Sequence, residues 1–408
     1  MISAKDFRES FSGSFFSRLF TLSVLISAIW LPITPKGMGY PIGFMVIFWL
    51  FTPKSFSRDK GLAVLLFSAI YLFHLVAMLY TEDVDRGIRD LGQKASLFIF
   101  PLVFGTVLEE YLPKRKLLFD LFLLGLIFSV GISILDSFIK YSESGLVTDF
   151  FMSEFSYSHH PSYLALFLNF GLSILLIENL KDRKKPKGWG VVLTISVFLV
   201  LGVIYSASKM GFIHFLFLIG FVLTYWLVRQ SLNSSRVAFI LSLGVLFTTL
   251  FFANPTAKNR IFHSVEVIKN EKVAASEDET GSTVARLTTW ELTIDEIFRH
   301  PLGVGTGDIQ DVLDQRYRKE GFDLLAEKGL NPHNVFLQVS LAQGVVAMSV
   351  FLLSLFFAFW KTWKRKDWIY AFFLLSVVIH FMVESMLEKQ SGVIFFAMIN
   401  AYLYFKEE

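Results

Sequence analysis

The sequence predicts an all-α, polytopic membrane protein with about twelve transmembrane helices and one large extracytoplasmic loop containing an amphipathic helix. Three observations carry that reading. Hydrophobic residues fill 54% of the 408 positions and charged ones only 18%, more apolar side chain than a soluble chain of this length can bury. Mean hydropathy is +0.55. The apolar residues come in long runs separated by short charged joints, and the character of those joints alternates along the chain.

A helix needs about twenty residues to cross the hydrocarbon core. Runs of that order fall at 15–34, 39–52, 61–80, 89–107, 117–139, 162–178, 189–206, 210–228, 237–254, 334–359, 368–387 and 391–405. The first is longer than the apolar region of a signal peptide and no small-residue cleavage site follows, so it reads as an uncleaved span. The second is short and opens at Tyr40-Pro41.

Orientation comes from the joints. Lys54, Arg58 and Lys60 follow the second span, Lys114, Arg115 and Lys116 the fourth, and Lys181, Arg183, Lys184, Lys185 and Lys187 the sixth. Arg229 and Arg236 flank the next such joint, Lys361, Lys364, Arg365 and Lys366 the last, and Lys5, Arg8 and Arg18 stand before or at the start of the first span. The intervening joints are poor in Lys and Arg or mixed with acids, as in Glu82-Asp83-Val84-Asp85-Arg86. The positive-inside rule then places both termini in the cytoplasm. The chain divides into 1–254 with nine spans, an outward loop 255–333, and 334–408 with three spans, all within one membrane domain.

Composition also excludes. A net charge of +3 gives no basis for a nucleic-acid partner. With no Cys in the chain there are no disulfides, thiolate nucleophiles or Cys-ligated metals. The pair His380 and Glu384 would supply two metal ligands without a third, so no metal site is expected.

Within the long loop, 271–283 is polar. Leu287, Trp290, Ile294, Ile297 and Phe298 then recur at helical spacing with Asp and Glu opposite, which predicts an amphipathic helix lying on the outer leaflet. His300-Pro301 ends it, and Gly303-Val304-Gly305-Thr306-Gly307 reads as a flexible turn. That run is no dinucleotide site, because no strand precedes it.

The polar residues at the outer mouth carry the chemistry. Asn331-Pro332-His333-Asn334 opens the tenth span, Lys209 sits in the turn before the eighth, and Arg286 lies in the loop. His380, Glu384 and Glu388 recur every four residues and are expected on one helical face. Fixed cations beside an imidazole and carboxylates suit glycosyl transfer from a lipid pyrophosphate donor. The departing pyrophosphate requires positive charge, and an acceptor hydroxyl requires a base near neutral pH. Each residue also has a plainer role available. His333 could cap a helix, Arg286 could anchor at the interface, and Lys209 could snorkel. His159-His160-Pro161 reads as loop residues before a Pro-initiated helix, and Trp360, Trp363 and Trp368 as an interfacial belt.

The arrangement Ser208-Lys209-Met210-Gly211, then Arg286 with Trp290, then Pro301-Leu302-Gly303-Val304-Gly305, then His333-Asn334-Val335-Phe336-Leu337-Gln338 followed by Gly344, resembles the O-antigen ligase and O-antigen polymerase superfamily. The stretch from His333 to Gly344 is its most specific part. The topological likeness covers nearly the whole chain, the motifs only about 200–345. The resemblance implies a metal-independent, inverting glycosyltransferase without cofactor in the bacterial inner membrane. Its implied donor is an undecaprenyl-diphosphate-linked glycan at the periplasmic face, and its acceptor a lipid A core or similar glycolipid or saccharide. It also implies that His333 is the catalytic base and that Arg286 contacts the donor's phosphates, with Lys209 at a second phosphate-binding position; Glu384, deep enough near the outer end of its span to suggest a role of its own, is the second catalytic candidate. The position of Lys209 is commonly Arg in the family; Lys keeps the charge and loses the fork. Two further functions stand beside the ligase. A polymerase of the same superfamily would need the same base and phosphate clamp. A transporter would show helices broken in matching places of two repeats, with ionisable groups at the midplane, and no repeat is evident here.

Overall fold

The computed structural model describes residues 4–178, 189–229, 234–253 and 283–407, together with Lys258. The polar stretch 271–282 and the basic joint 181–187 lie outside the described residues. Among those described, the chain is helical, and the one strand-like feature is an isolated bridge between Lys54 and Val107. In chain order the helices are α1 (Ala4–Ser10), α2 (Phe15–Trp30), α3 (Gly39–Leu50), α4 (Arg58–Ala77), α5 (Val84–Lys94), α6 (Ser96–Thr106), α7 (Arg115–Ser144), α8 (Met152–Phe155), α9 (Pro161–Glu178), α10 (Trp189–Tyr205), α11 (Lys209–Val228) and α12 (Ser234–Ala253). The second half adds α13 (Thr283–Arg299), α14 (Ile309–Lys319), α15 (Asp323–Glu327), α16 (Val335–Arg365), α17 (Trp368–Phe381) and α18 (Gln390–Phe405).

Six helical segments are long and apolar enough to cross a membrane: Arg58–Tyr80, Glu109–Ser144, Pro161–Glu178, Lys209–Val228, Arg236–Ala253 and Val335–Arg365. Five shorter apolar helices, Phe15–Trp30, Gly39–Leu50, Gly190–Tyr205, Trp368–Phe381 and Gln390–Phe405, occupy the places of further expected spans. The fourth expected span, 89–107, is built differently. It is two 11-residue helices, α5 and α6, that meet at Ala95. Only α6 is apolar throughout. The polar α5 buries Lys94 between Asp90 and Glu388, each 2.9 Å away.

Packing follows from where apolar surface can go. Every residue of α9 from Pro161 to Ile177 is buried, so this helix is the centre of the bundle. It is flanked by α7, α10, α11 and α17. Helices α4, α6, α16 and α18 pack on one another beside it. Leu65, Leu135, Phe138, Val245, Leu353 and Phe356 point outward instead, as side chains facing lipid do at no cost. A second, small core of Leu292, Leu313, Tyr317, Leu325 and Leu341 lies beneath the 283–333 segment.

The amphipathic helix is present as α13, with its faces assigned otherwise than the spacing suggests. The face packed on α16 and α14 carries Ala285, Thr289, Leu292, Thr293 and Glu296. Leu287, Ile294 and Phe298 are exposed, while Trp290 turns inward and its indole N–H donates to the Pro332 carbonyl at 2.6 Å. Ala285, Thr289 and Thr293 let the helix pack closely beside Leu292, while Leu287, Ile294 and Phe298 stay exposed.

The glycine run is pinned where a flexible turn was expected. Val304 and Gly305 N–H donate to the Leu341 and Ala342 carbonyls (2.9 and 3.1 Å), and Val345 N–H donates back to Pro301 (3.0 Å). These bonds are possible because α16 is interrupted at Gly344, whose φ is +86°. A Cβ on Gly344 would stand 2.6 Å from the Leu302 carbonyl carbon, and one on Gly303 2.6 Å from the Ala342 oxygen. Two backbones cross here at a distance only glycine allows. Asp308 completes the anchor, accepting from Glu82 N and Asp83 N at 2.9 and 2.7 Å.

Candidate active site

Four helix starts and one helix end supply the site. Ser208 caps α11 by accepting from Gly211 N (3.1 Å), which sets Lys209 at the first residue of that helix. Pro161 opens α9, with His160 just before it. Arg286 stands in the first turn of α13. Asn334 caps α16 by accepting from Phe336 N and Leu337 N (2.9 and 3.1 Å), and His333 precedes it. The Asn334 amide also donates to Met382 O (3.0 Å), which ties the start of α16 to the turn after α17.

His333 is held in a conformation its residue type disfavours. Its φ is +45°, in the left-handed region where a non-glycine residue is strained. The Asn331 carboxamide oxygen accepts His333 N–H at 2.9 Å, while Trp290 fixes the preceding carbonyl. Two neighbouring side chains thus oppose the strain and aim the imidazole.

Glu384 is the hub. Its Oε2 lies 3.4 Å from His333 Nδ1, and its Oε1 accepts from Arg286 Nη2 at 3.3 Å and from the Ser162 hydroxyl at 3.2 Å. Arg286 Nη1 also donates to the Val383 carbonyl (3.2 Å). The carboxylate side chain is 6% exposed, whereas His333 and Arg286 are each 33% exposed. The anion is therefore a fixed support, and the imidazole and guanidinium remain reachable by a ligand. Burial by itself would raise the pKa of Glu384. The hydrogen bond from His333 and the charges of Arg286 and His160 outweigh it and bring the pKa down to about 2. Glu384 is ionised at any physiological pH.

Lys209, Arg286, His333 and Glu384 converge on one cavity of about 390 Å³, which His160, Ser162 and Asn331 line as well. An adjoining cavity of about 450 Å³ shares His160, Asn331, His333 and Glu384 with the first. The expected companions of Glu384 go elsewhere. Helix α17 stops at Phe381, so the four-residue spacing of His380, Glu384 and Glu388 does not continue on one face. His380 is buried against His214, their ring centroids 5.1 Å apart, and Glu388 pairs with Lys94. Conversely, His160 borders both cavities although its local sequence reads as a loop before a Pro-initiated helix. The usable signal was its position at the start of a helix, which it shares with Lys209 and His333.

No curated protein matches the chain. A family model described as O-antigen ligase matches residues 194–352. That segment holds Lys209, Arg286, His333 and the Gly303–Gly344 crossing, while His160 and Glu384 come from outside it. Over residues 194–352 the chain carries the O-antigen ligase signature, and its resemblance to the O-antigen ligase and polymerase superfamily holds there.

Proposed function

We propose that the protein is an inner-membrane glycosyltransferase that moves a glycan from an undecaprenyl-diphosphate carrier to a lipid A core or similar glycolipid acceptor. The transfer takes place at the periplasmic face, where the 255–333 loop stands, with both termini in the cytoplasm. The observation that carries this reading is the Glu384–His333 pair beside Arg286 and Lys209 in one cavity.

In this reading His333 is the general base. An ionised Glu384 accepts the hydrogen at Nδ1, which leaves Nε2 with its lone pair for the acceptor hydroxyl. As the hydroxyl proton passes to Nε2, the acceptor oxygen forms a bond to the anomeric carbon and the bond from that carbon to the phosphate oxygen breaks. The electron pair leaves with the carrier diphosphate, whose charge Arg286 and Lys209 stabilise. Attack and departure occur on opposite faces of the carbon, so the configuration inverts. Glu384 touches neither substrate and acts as a positioning residue.

The test is the glycolipid profile of a strain lacking the gene. Long polymer accumulating on the carrier while the glycolipid acceptor stays bare is the expected result, restored by the wild-type gene and not by His333→Ala. Glycolipids bearing a single repeat would identify a polymerase instead. An unchanged profile would overturn glycosyl transfer altogether.

A further inference from the structure

We propose that Gln93 and Lys94, at the end of α5, are positioning residues for the base His333, to which the 384–388 turn links them. This rests on the glycosyl-transfer reading above and deepens it. Helix α5 stands where part of a transmembrane span was expected, and its last turn carries a lysine only 1% exposed, between Asp90 and Glu388. Taking such charges out of water can cost more than their pairing returns, so a buried ion pair is weak evidence of a stabilising role. An ionisable residue buried in such a segment points to function instead, and its partner shows where to look. Glu388 is that partner. The Lys94 ammonium donates to its Oε2 at 2.9 Å, and the Gln93 carboxamide donates to its backbone carbonyl at 2.5 Å. Consecutive residues of α5 thus hold both the side chain and the main chain of Glu388.

From Glu388 the hydrogen bonds lead to the base. Its N–H donates to the Ser385 carbonyl at 2.9 Å. The Ser385 hydroxyl donates to the Asn331 carboxamide oxygen at 3.1 Å, and the same oxygen accepts His333 N–H at 2.9 Å. Glu384, whose carboxylate meets the His333 ring, begins the turn, and Met386 N–H donates to its carbonyl at 2.8 Å. The turn therefore reaches His333 twice, at the backbone and at the ring. One 3-10 turn, Met386–Glu388, is the regular structure between α17 and α18, and such a connection is more mobile than the helices it joins unless neighbours hold it. Arg286 and Asn331 hold its first half, Lys94 and Gln93 its second. His333 is already strained at φ +45°, so a loosened turn lets the ring relax away from the aim that proton transfer needs.

The assignment is tested with the full-length protein in lipid nanodiscs, with carrier-linked glycan and glycolipid extracted from the parent membranes as donor and acceptor. Lys94→Met nearly keeps the length of the side chain and removes its charge. It is expected to lower kcat about tenfold or more, with both KM values within about twofold of wild type. Gln93→Ala, at a half-buried position that the fold tolerates, should lower kcat less and in the same sense. Arg115→Met breaks a largely buried ion pair with Asp367 elsewhere in the bundle, and as the control it should lower the melting temperature without lowering kcat. Ser385→Ala removes one link of the chain, so its loss and that of Lys94→Met should combine to less than their product. A second readout needs no turnover. Diethyl pyrocarbonate modifies the unprotonated imidazole, and Lys94→Met should slow its reaction with His333, read by mass spectrometry, at least about threefold, because the ring no longer meets the carboxylate that makes Nε2 basic. Normal kcat in both α5 variants overturns the assignment, as do losses that multiply with Ser385→Ala, an unaltered modification rate, or an equal fall of kcat in Arg115→Met. Failure of the wild-type protein to transfer any glycan would instead refute the glycosyl-transfer reading, and the modification rate alone would then decide the positioning.

Discussion

Glu384 and His333 depend on each other in opposite ways: the carboxylate needs the ring's hydrogen to stay ionised in a buried place, and the ring needs the carboxylate to face one nitrogen toward the cavity. Because burial raises and pairing lowers the pKa of Glu384 to about 2 from 4.5, the folded state holds its proton more weakly than the unfolded chain does. The pairing therefore contributes stability above about pH 4.5, and that contribution fades as pH falls toward 2. In Glu384→Gln the acid-side loss of melting temperature should shrink, while turnover falls at least about tenfold because the ring's tautomer is no longer fixed. His333→Gln should cost about 10²–10⁴-fold in turnover with undecaprenyl diphosphate binding kept. Near-normal turnover in His333→Gln would show that the side chain serves only as a hydrogen-bond partner.

At the scale of elements, the site is an assembly of helix ends, and this decides which parts of it were readable in the sequence. Lys209, Arg286 and His333 each sit beside a local helix-start signal: Ser208, the onset of the Leu287–Phe298 periodicity, and Pro332-His333-Asn334. Such signals involve neighbours in the chain and are legible. Glu384 was visible as an outer carboxylate, but its geometry was not. Met382, Val383, Met386 and Leu387 prolong the apolar run past Phe381 and conceal where the helix stops. The pairing of His160 with the others is a matter of which helices pack together, and no local pattern encodes it. The glycine crossing was missed for the same reason, since Gly303 and Gly344 each look like an ordinary loosening of the chain until their backbones meet. Gly344→Ala adds a Cβ at φ +86° and 2.6 Å from Leu302, so it should destabilise the detergent-solubilised protein by about 1–3 kcal/mol or more. Glycan output should fall with it, because the crossing lies on the same helix that His333 precedes. Gly220→Ala, where an added Cβ meets nothing within 4 Å, is the control expected to change neither. Equal melting temperatures for the two variants would show that the crossing is not a constraint.

Across the whole molecule, three helices run from the candidate site to a basic end. Helix α16 begins beside His333 and finishes 31 residues later among Lys361, Lys364, Arg365 and Lys366. Helix α11 begins at Lys209 and ends at Val228 with Arg229 as its C-cap, and α9 begins beside His160 and ends at Glu178, ahead of the joint that contains Lys181 and Arg183. At the basic end Arg115 forms a two-pronged pair with Asp367 at 2.6 and 2.8 Å, fixing the start of α7 to the start of α17. Beyond its break at Gly344, α16 runs without interruption from Val345 to Arg365, about 31 Å at 1.5 Å per residue, which matches the roughly 30 Å hydrocarbon thickness and places the cavity and the basic end at opposite ends of a span. By the positive-inside rule the basic end is expected on the cytoplasmic side and the cavity on the outer one, and this orientation is a prediction. The orientation can be measured directly because the chain has no Cys. Cysteines placed singly at Ser276 and Ser282 should react with a membrane-impermeant maleimide in intact spheroplasts, and one placed at Ser231, in the joint between α11 and α12, should react only after lysis. The reverse pattern would turn the site toward the cytoplasm, where nucleotide-activated sugars are available, and would remove the reason for a lipid-linked donor.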